Sequence, residues 1–86
     1  MEYLVLYKNI KEAIQAEEWL RQQDIKVRII ATPESIEATC GFSLELITEN
    51  LEEALAKNHS SYAIKEIYMI QGERLNKRYN KLEVRL

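Results

Sequence analysis

"IKVRIIATPESIEATCGFSLELI", residues 25–47, decides the fold of this chain. Its opening alternates Ile25, Val27 and Ile29 against Lys26 and Arg28. Its end alternates again, with Phe42, Leu44 and Leu46 set against Ser43 and Glu45. A period of two marks strands with one buried face, and the charges of the first run suit an edge position. Between the runs stand the only proline, Pro33, the only cysteine, Cys40, and one of two glycines, Gly41. A connection of about ten residues is long for a hairpin, where two to five is usual. Long ordered loops carry function more often than tight ones.

Outward from this hairpin the pattern is regular. "YLVLY", residues 3–7, is a continuous apolar run, the mark of a central strand covered on both faces. Asn9 is a good helix cap, with Glu12 at the capping-box position. Ala13, Ala16 and Leu20, joined by Ile10 and Ile14, form a stripe at helical spacing that ends near Gln23. A second helix is expected from about Glu49 to Asn58, capped by Thr48, with Leu51, Ala54 and Leu55 inward. "IKEIYMI", residues 64–70, is the fourth strand.

The order β-α-β-β-α-β predicts an α+β, ferredoxin-like domain: a four-stranded antiparallel sheet with two helices on one face. It occupies residues 3–70, and residues 71–86 form a basic C-terminal extension. Leu75, Tyr79, Leu82 and Leu86 suggest a helix from about Gly72 to Asn80, followed by an extended end. The helices cover one sheet face only. Leu4 and Leu6 alternate with Tyr3, Val5 and Tyr7, so an apolar set points away from them. A homodimer through that free face is the expectation, with a covering tail as the alternative.

Composition narrows the class. Eighty-six residues make one domain, burying only about 60% of its unfolded surface. A single cysteine staples nothing internally. No basic-then-apolar leader and no run of about 20 apolar residues is present, so a cytoplasmic protein without a membrane span is expected. Residues 1–70 hold seven Lys/Arg against twelve Asp/Glu, while residues 71–86 hold five against two. So acidic a body is a poor nucleic-acid binder. One His and one Cys do not make a structural zinc site, and no glycine-rich phosphate loop occurs, so no metal or cofactor is expected.

The chemistry concentrates in the long loop. Thr32-Pro33 is a helix-start signal and Gly41 suits a stop, which presents Cys40 at the exit of a short helical turn. In this topology Lys8, Lys11, His59 and the start of the first helix gather at the same end of the sheet. Ammonium groups and helix N–H groups favour a thiolate. The C-terminal end of the 33–39 turn opposes them. A lone cysteine in a small domain is also commonly a small buried hydrophobe.

"YLVLY", "AEEWLRQQDIKVRII", "ATPESIEATCGFSLEL", "NLEEALA" and "IKEIYMI" together resemble the putative selenium/sulfur carrier protein-like family of small bacterial proteins. The resemblance covers roughly residues 3–70. Its most specific part is Thr32-Pro33 followed by Thr39-Cys40-Gly41, with Thr39 where the family commonly has serine. The resemblance implies a carrier with Cys40 as the persulfide or selenopersulfide site. Thr32, Pro33, Thr39 and Gly41 then shape the loop, and donor and acceptor proteins are the partners; Lys8 and His59 match no motif of the family, and with Lys11 they are candidate thiolate stabilisers from the topology alone. Such a chain is a carrier rather than a self-contained enzyme. The competing reading is a non-catalytic, dimeric interaction or regulatory module with a structural cysteine.

Overall fold

The computed structural model describes residues 1–36, 41–56, 64–73 and 75–82. In chain order these form β1 (Glu2–Tyr7), α1 (Ile10–Gln22), β2 (Lys26–Ala31), β3 (Phe42–Ile47), α2 (Leu51–Ala56), β4 (Ile64–Gln71) and β5 (Arg78–Leu82). The sheet order is β2-β3-β1-β4-β5, with every neighbouring pair antiparallel. The α+β class holds, and the expected four-stranded sheet is corrected to five strands.

The fifth strand replaces the helix expected over residues 72–80. Gly72 has φ 92°, and the Asn76 N–H donates to the Glu73 carbonyl at 2.7 Å, reversing the chain. Arg78–Leu82 then pairs with β4, Tyr79 opposite Ile70 and Leu82 opposite Ile67. The strand prevails over the helical spacing because it serves two apolar clusters at once, and the extended end expected through Val84 and Leu86 lies outside the described residues. Tyr79 packs on one face of the sheet and Leu82 on the other.

The main core lies between the helices and the sheet. Tyr3, Val5, Tyr7, Leu44, Leu46 and Ile67 meet Ala13, Ala16 and Leu20 from α1 and Leu51, Ala54 and Leu55 from α2. Each fully buried leucine contributes about 1.5–3 kcal/mol. The Glu12 N–H donates to Asn9 Oδ1 at 2.9 Å, so the expected cap of α1 is present. Ile10 and Ile14 were expected in its buried stripe, but they are 44% and 46% exposed. The two alanines of the stripe keep it narrow, and the isoleucines fall on its flank.

Helix α1 ends with Asp24 at φ 59°. The Asp24 N–H donates to the Arg21 carbonyl and the Ile25 N–H to the Leu20 carbonyl, both at 3.1 Å. This pair of bonds is a Schellman closure, which here tucks Ile25 against the core. The cap of α2 is Asn50 rather than Thr48: Asn50 Oδ1 accepts the Glu53 N–H at 3.0 Å. Thr48 Oγ1 instead accepts the Asn50 N–H at 3.3 Å.

The helix-free face has its own apolar cluster. Leu4, Leu6 and Ile70 are buried there, with Ile30, Ile36, Tyr68 and Tyr79 packed against them. Leu4 is 0% and Leu6 2% exposed within one chain. The apolar surface that suggested a homodimer is therefore occupied internally, by Ile36 from the loop after β2 and by Tyr79 from β5.

Candidate functional site

Strand β1 ends, β2 ends, and β3 and β4 begin at one end of the sheet. Leu6 and Ile30 both lie opposite Ser43, and Tyr7 lies opposite Ile64. The register shifts between Leu6 and Tyr7 at this same end. A bulge of this kind re-aims the strand where it meets a loop.

The long loop leaves from here, and its base is closed twice. The Thr32 N–H donates to the Gly41 carbonyl at 2.9 Å, extending the β2–β3 ladder one step past Ala31 and Phe42. The Thr32 and Ser43 hydroxyls then share a hydrogen bond of 2.6 Å. Thr32 is 8% exposed and Ser43 0%, so each satisfies a polar group that would otherwise be costly to bury. Thr32 is thus not the helix cap expected of it, because its hydroxyl is turned toward the sheet. Pro33 opens a single turn, its carbonyl accepting the Ile36 N–H at 3.0 Å. No helix forms over residues 33–36. Ile36 anchors the loop on the helix-free face.

The structure brings Thr32, Pro33 and Gly41 together at the loop base, with Lys8 and Lys11 exposed at the same end. Thr39, Cys40 and His59 lie outside the described residues. Ser43 was missed by sequence reasoning. In an alternating strand a serine reads as solvent-facing, yet here the polar side of the strand is also covered. Phe42 shows the converse. It falls on the apolar side of the alternation and is 52% exposed.

Two carboxylates on the helix-free face are paired with cations. Glu45 accepts from Arg28 Nε at 2.9 Å and from Lys77 Nζ at 3.4 Å. Lys77 therefore ties the β4–β5 hairpin to β3 over the intervening strand β1. Glu66 meets Lys81 Nζ at 2.9 Å and the Tyr68 hydroxyl at 3.2 Å. The Lys81 hydrogen bond is the main cause that holds the Glu66 carboxyl below its ordinary range, against an opposing effect of burial. A cleft of about 290 Å³ separates Ser35 and Ile36 of the loop from Tyr68, Lys77 and Tyr79 of the hairpin. A second groove, of about 320 Å³, lies at the other end of the sheet, where Trp19 of α1 and Gln23, its C-cap, face the start of α2. No helix among the described residues is long and apolar enough to cross a membrane.

Comparison with known proteins gives one result. The family model described as putative Se/S carrier protein-like matches residues 2–69. No curated protein and no solved structure matches. The match begins with β1 and stops inside β4, so the turn after β4 and β5 itself lie past it.

Proposed function

Because the chain belongs to the putative Se/S carrier protein-like family, we propose that it carries sulfur or selenium on Cys40, as a persulfide or selenopersulfide. The thiolate attacks the outer sulfur of a donor persulfide. The donor's S–S bond breaks, the donor leaves as a thiolate with the electron pair, and Cys40 retains the transferred sulfur. An acceptor nucleophile then attacks that sulfur and releases the Cys40 thiolate. One cysteine suffices, because the acceptor completes the transfer. Donor and acceptor proteins are thus its partners, and the reducing cytoplasm is its compartment.

The family match over residues 2–69 is the observation that carries this reading. The loop base supports it. Thr32 and Gly41 close a connection whose ends are fixed by two hydrogen bonds, and Lys8 and Lys11 stand at the same end. In this reading the first four strands and both helices follow the ferredoxin-like plan, with β5 added at its edge. Lys8, Lys11 and His59 favour the thiolate, and Thr39 shapes its approach.

The test is the alkylation rate of Cys40 against pH, with intact-mass detection after incubation with a cysteine desulfurase and cysteine. A thiol that reacts as a thiolate near neutral pH and gains one sulfur, about 32 Da, is expected. Cys40→Ser should abolish the gain. An ordinary or raised thiol pKa with no adduct would overturn the carrier and leave a non-catalytic interaction module.

A further inference from the structure

Strand β2 is at one end of the sheet, and its backbone can be read residue by residue. Thr32 bonds inward to Gly41, and the β2–β3 register runs without a shift from Lys26 to Ala31. In an antiparallel ladder inward and outward residues alternate. The N–H and C=O groups of Lys26, Arg28 and Ile30 therefore face β3, and those of Val27, Ile29 and Ala31 face an edge that no strand among the described residues covers.

The two sides of this edge differ in chemistry. Val27 and Ile29 lie on the helix side, half-buried against the main core. Above them α1 packs on β2. Trp19 and the C-cap Gln23 mark the flank of α1 that faces α2. At 3.6 residues per turn, Ile10 and Ile14 fall on the opposite flank, beyond the stripe of Ala13, Ala16 and Leu20. They therefore overhang the β2 edge, and they are the exposed isoleucines of this helix. On the other side of the strand the exposed residues are the cations Lys26 and Arg28, Arg28 being bonded through Nε to Glu45 and Lys26 the nearer to the free end of the strand.

We propose that the β2 edge is a docking site for an extended segment of a partner protein whose residues alternate apolar and acidic. The segment adds a strand to the sheet by bonding to Val27, Ile29 and Ala31. Its apolar residues lie beneath Ile10 and Ile14, and its carboxylates face Lys26 and Arg28. A second copy of this chain fits less well, because two β2 edges paired antiparallel through Val27, Ile29 and Ala31 set Arg28 against Ile30 and Lys26 against Thr32. That gathers four cations on one face and brings them no new carboxylate. The site stands independently of Cys40, although a strand seated on it ends beside the base of the loop.

The test uses the full-length chain, labelled for amide NMR, and two synthetic peptides of seven residues. One alternates valine with glutamate and the other valine with lysine. The glutamate peptide should shift the amides of residues 26–31 and the methyl groups of Ile10 and Ile14. It should bind at least about threefold more tightly than the lysine peptide. Lys26→Glu, an exposed change that spares the fold, should erase or invert that preference. Ile14→Ser should weaken both peptides alike. Cys40→Ser should leave binding unchanged, which separates this site from the carrier reading. Equal binding of the two peptides, shifts confined to β5, or no shift at millimolar peptide would overturn the proposal. So would a self-associated dimer closed through Val27, Ile29 and Ala31.

Discussion

At the scale of single residues, the base of the loop depends on two hydroxyl groups. Ser43→Ala leaves the Thr32 hydroxyl buried beside a methyl group, and should cost about 1–3 kcal/mol in urea denaturation. Adding Thr32→Val removes the stranded partner, so the double variant should lose less than the two single losses combined. Strict additivity would show that the 2.6 Å contact contributes nothing of its own. Glu66 offers a second check, by pH. Its carboxyl is lowered in the folded state from a reference near 4.5. The stability it lends is therefore complete above that reference and is lost as pH falls through the lowered folded value. Lys81→Met should reduce stability near pH 7 by about 0.2–1 kcal/mol, and the gap from the parent should close in acid. A gap that stayed constant down to pH 2 would rule this out. Thr32 and Gly41 were legible in the sequence as punctuation. Ser43 was not, because alternation reports which side of a strand a residue takes and says nothing of what covers that side.

At the scale of elements, the strands were legible where one pattern ruled. Strands β1 to β4 follow period two or a continuous apolar run, and each forms as expected. The C-terminal segment read as a helix followed by an extended end, and local spacing alone did not show that β4 had an edge for it to join. The hairpin depends on Gly72. A Cβ there would collide with the Asn76 carbonyl oxygen, and φ 92° disfavours any side chain. Gly72→Ala should therefore speed hydrogen exchange at residues 78–82 well before it affects β1. Equal acceleration throughout would mean that β5 opens only with the whole fold. The end of α1 predicts the opposite sign. Asp24 holds a left-handed conformation without glycine's freedom, so Asp24→Gly should raise stability by about 0.5–1 kcal/mol in thermal denaturation. Unchanged or lower stability would show that the Asp24 side chain compensates for its backbone.

At the scale of the whole molecule, the two-faced burial of β1 governs behaviour. Leu4 lies in the cluster that Ile36 and Tyr79 complete within one chain. Leu4→Ala should cost about 2–5 kcal/mol, and the loss should be the same at micromolar and at near-millimolar protein. A loss that grew on dilution would show that a second copy completes this face after all. The sequence announced that the face was apolar, but an apolar pattern cannot name its cover. The pairing order has a further consequence, for synthesis. Strand β1 is made first, yet its partner β4 sets Met69 opposite Tyr3. At about 5–20 residues per second, the ribosome needs roughly 3 to 13 s to supply that neighbour. For that interval "YLVLY" is a short, uncharged, strand-forming stretch of the kind that seeds aggregates. The charges that bracket it, Glu2 and Lys8, act as gatekeepers in the nascent chain.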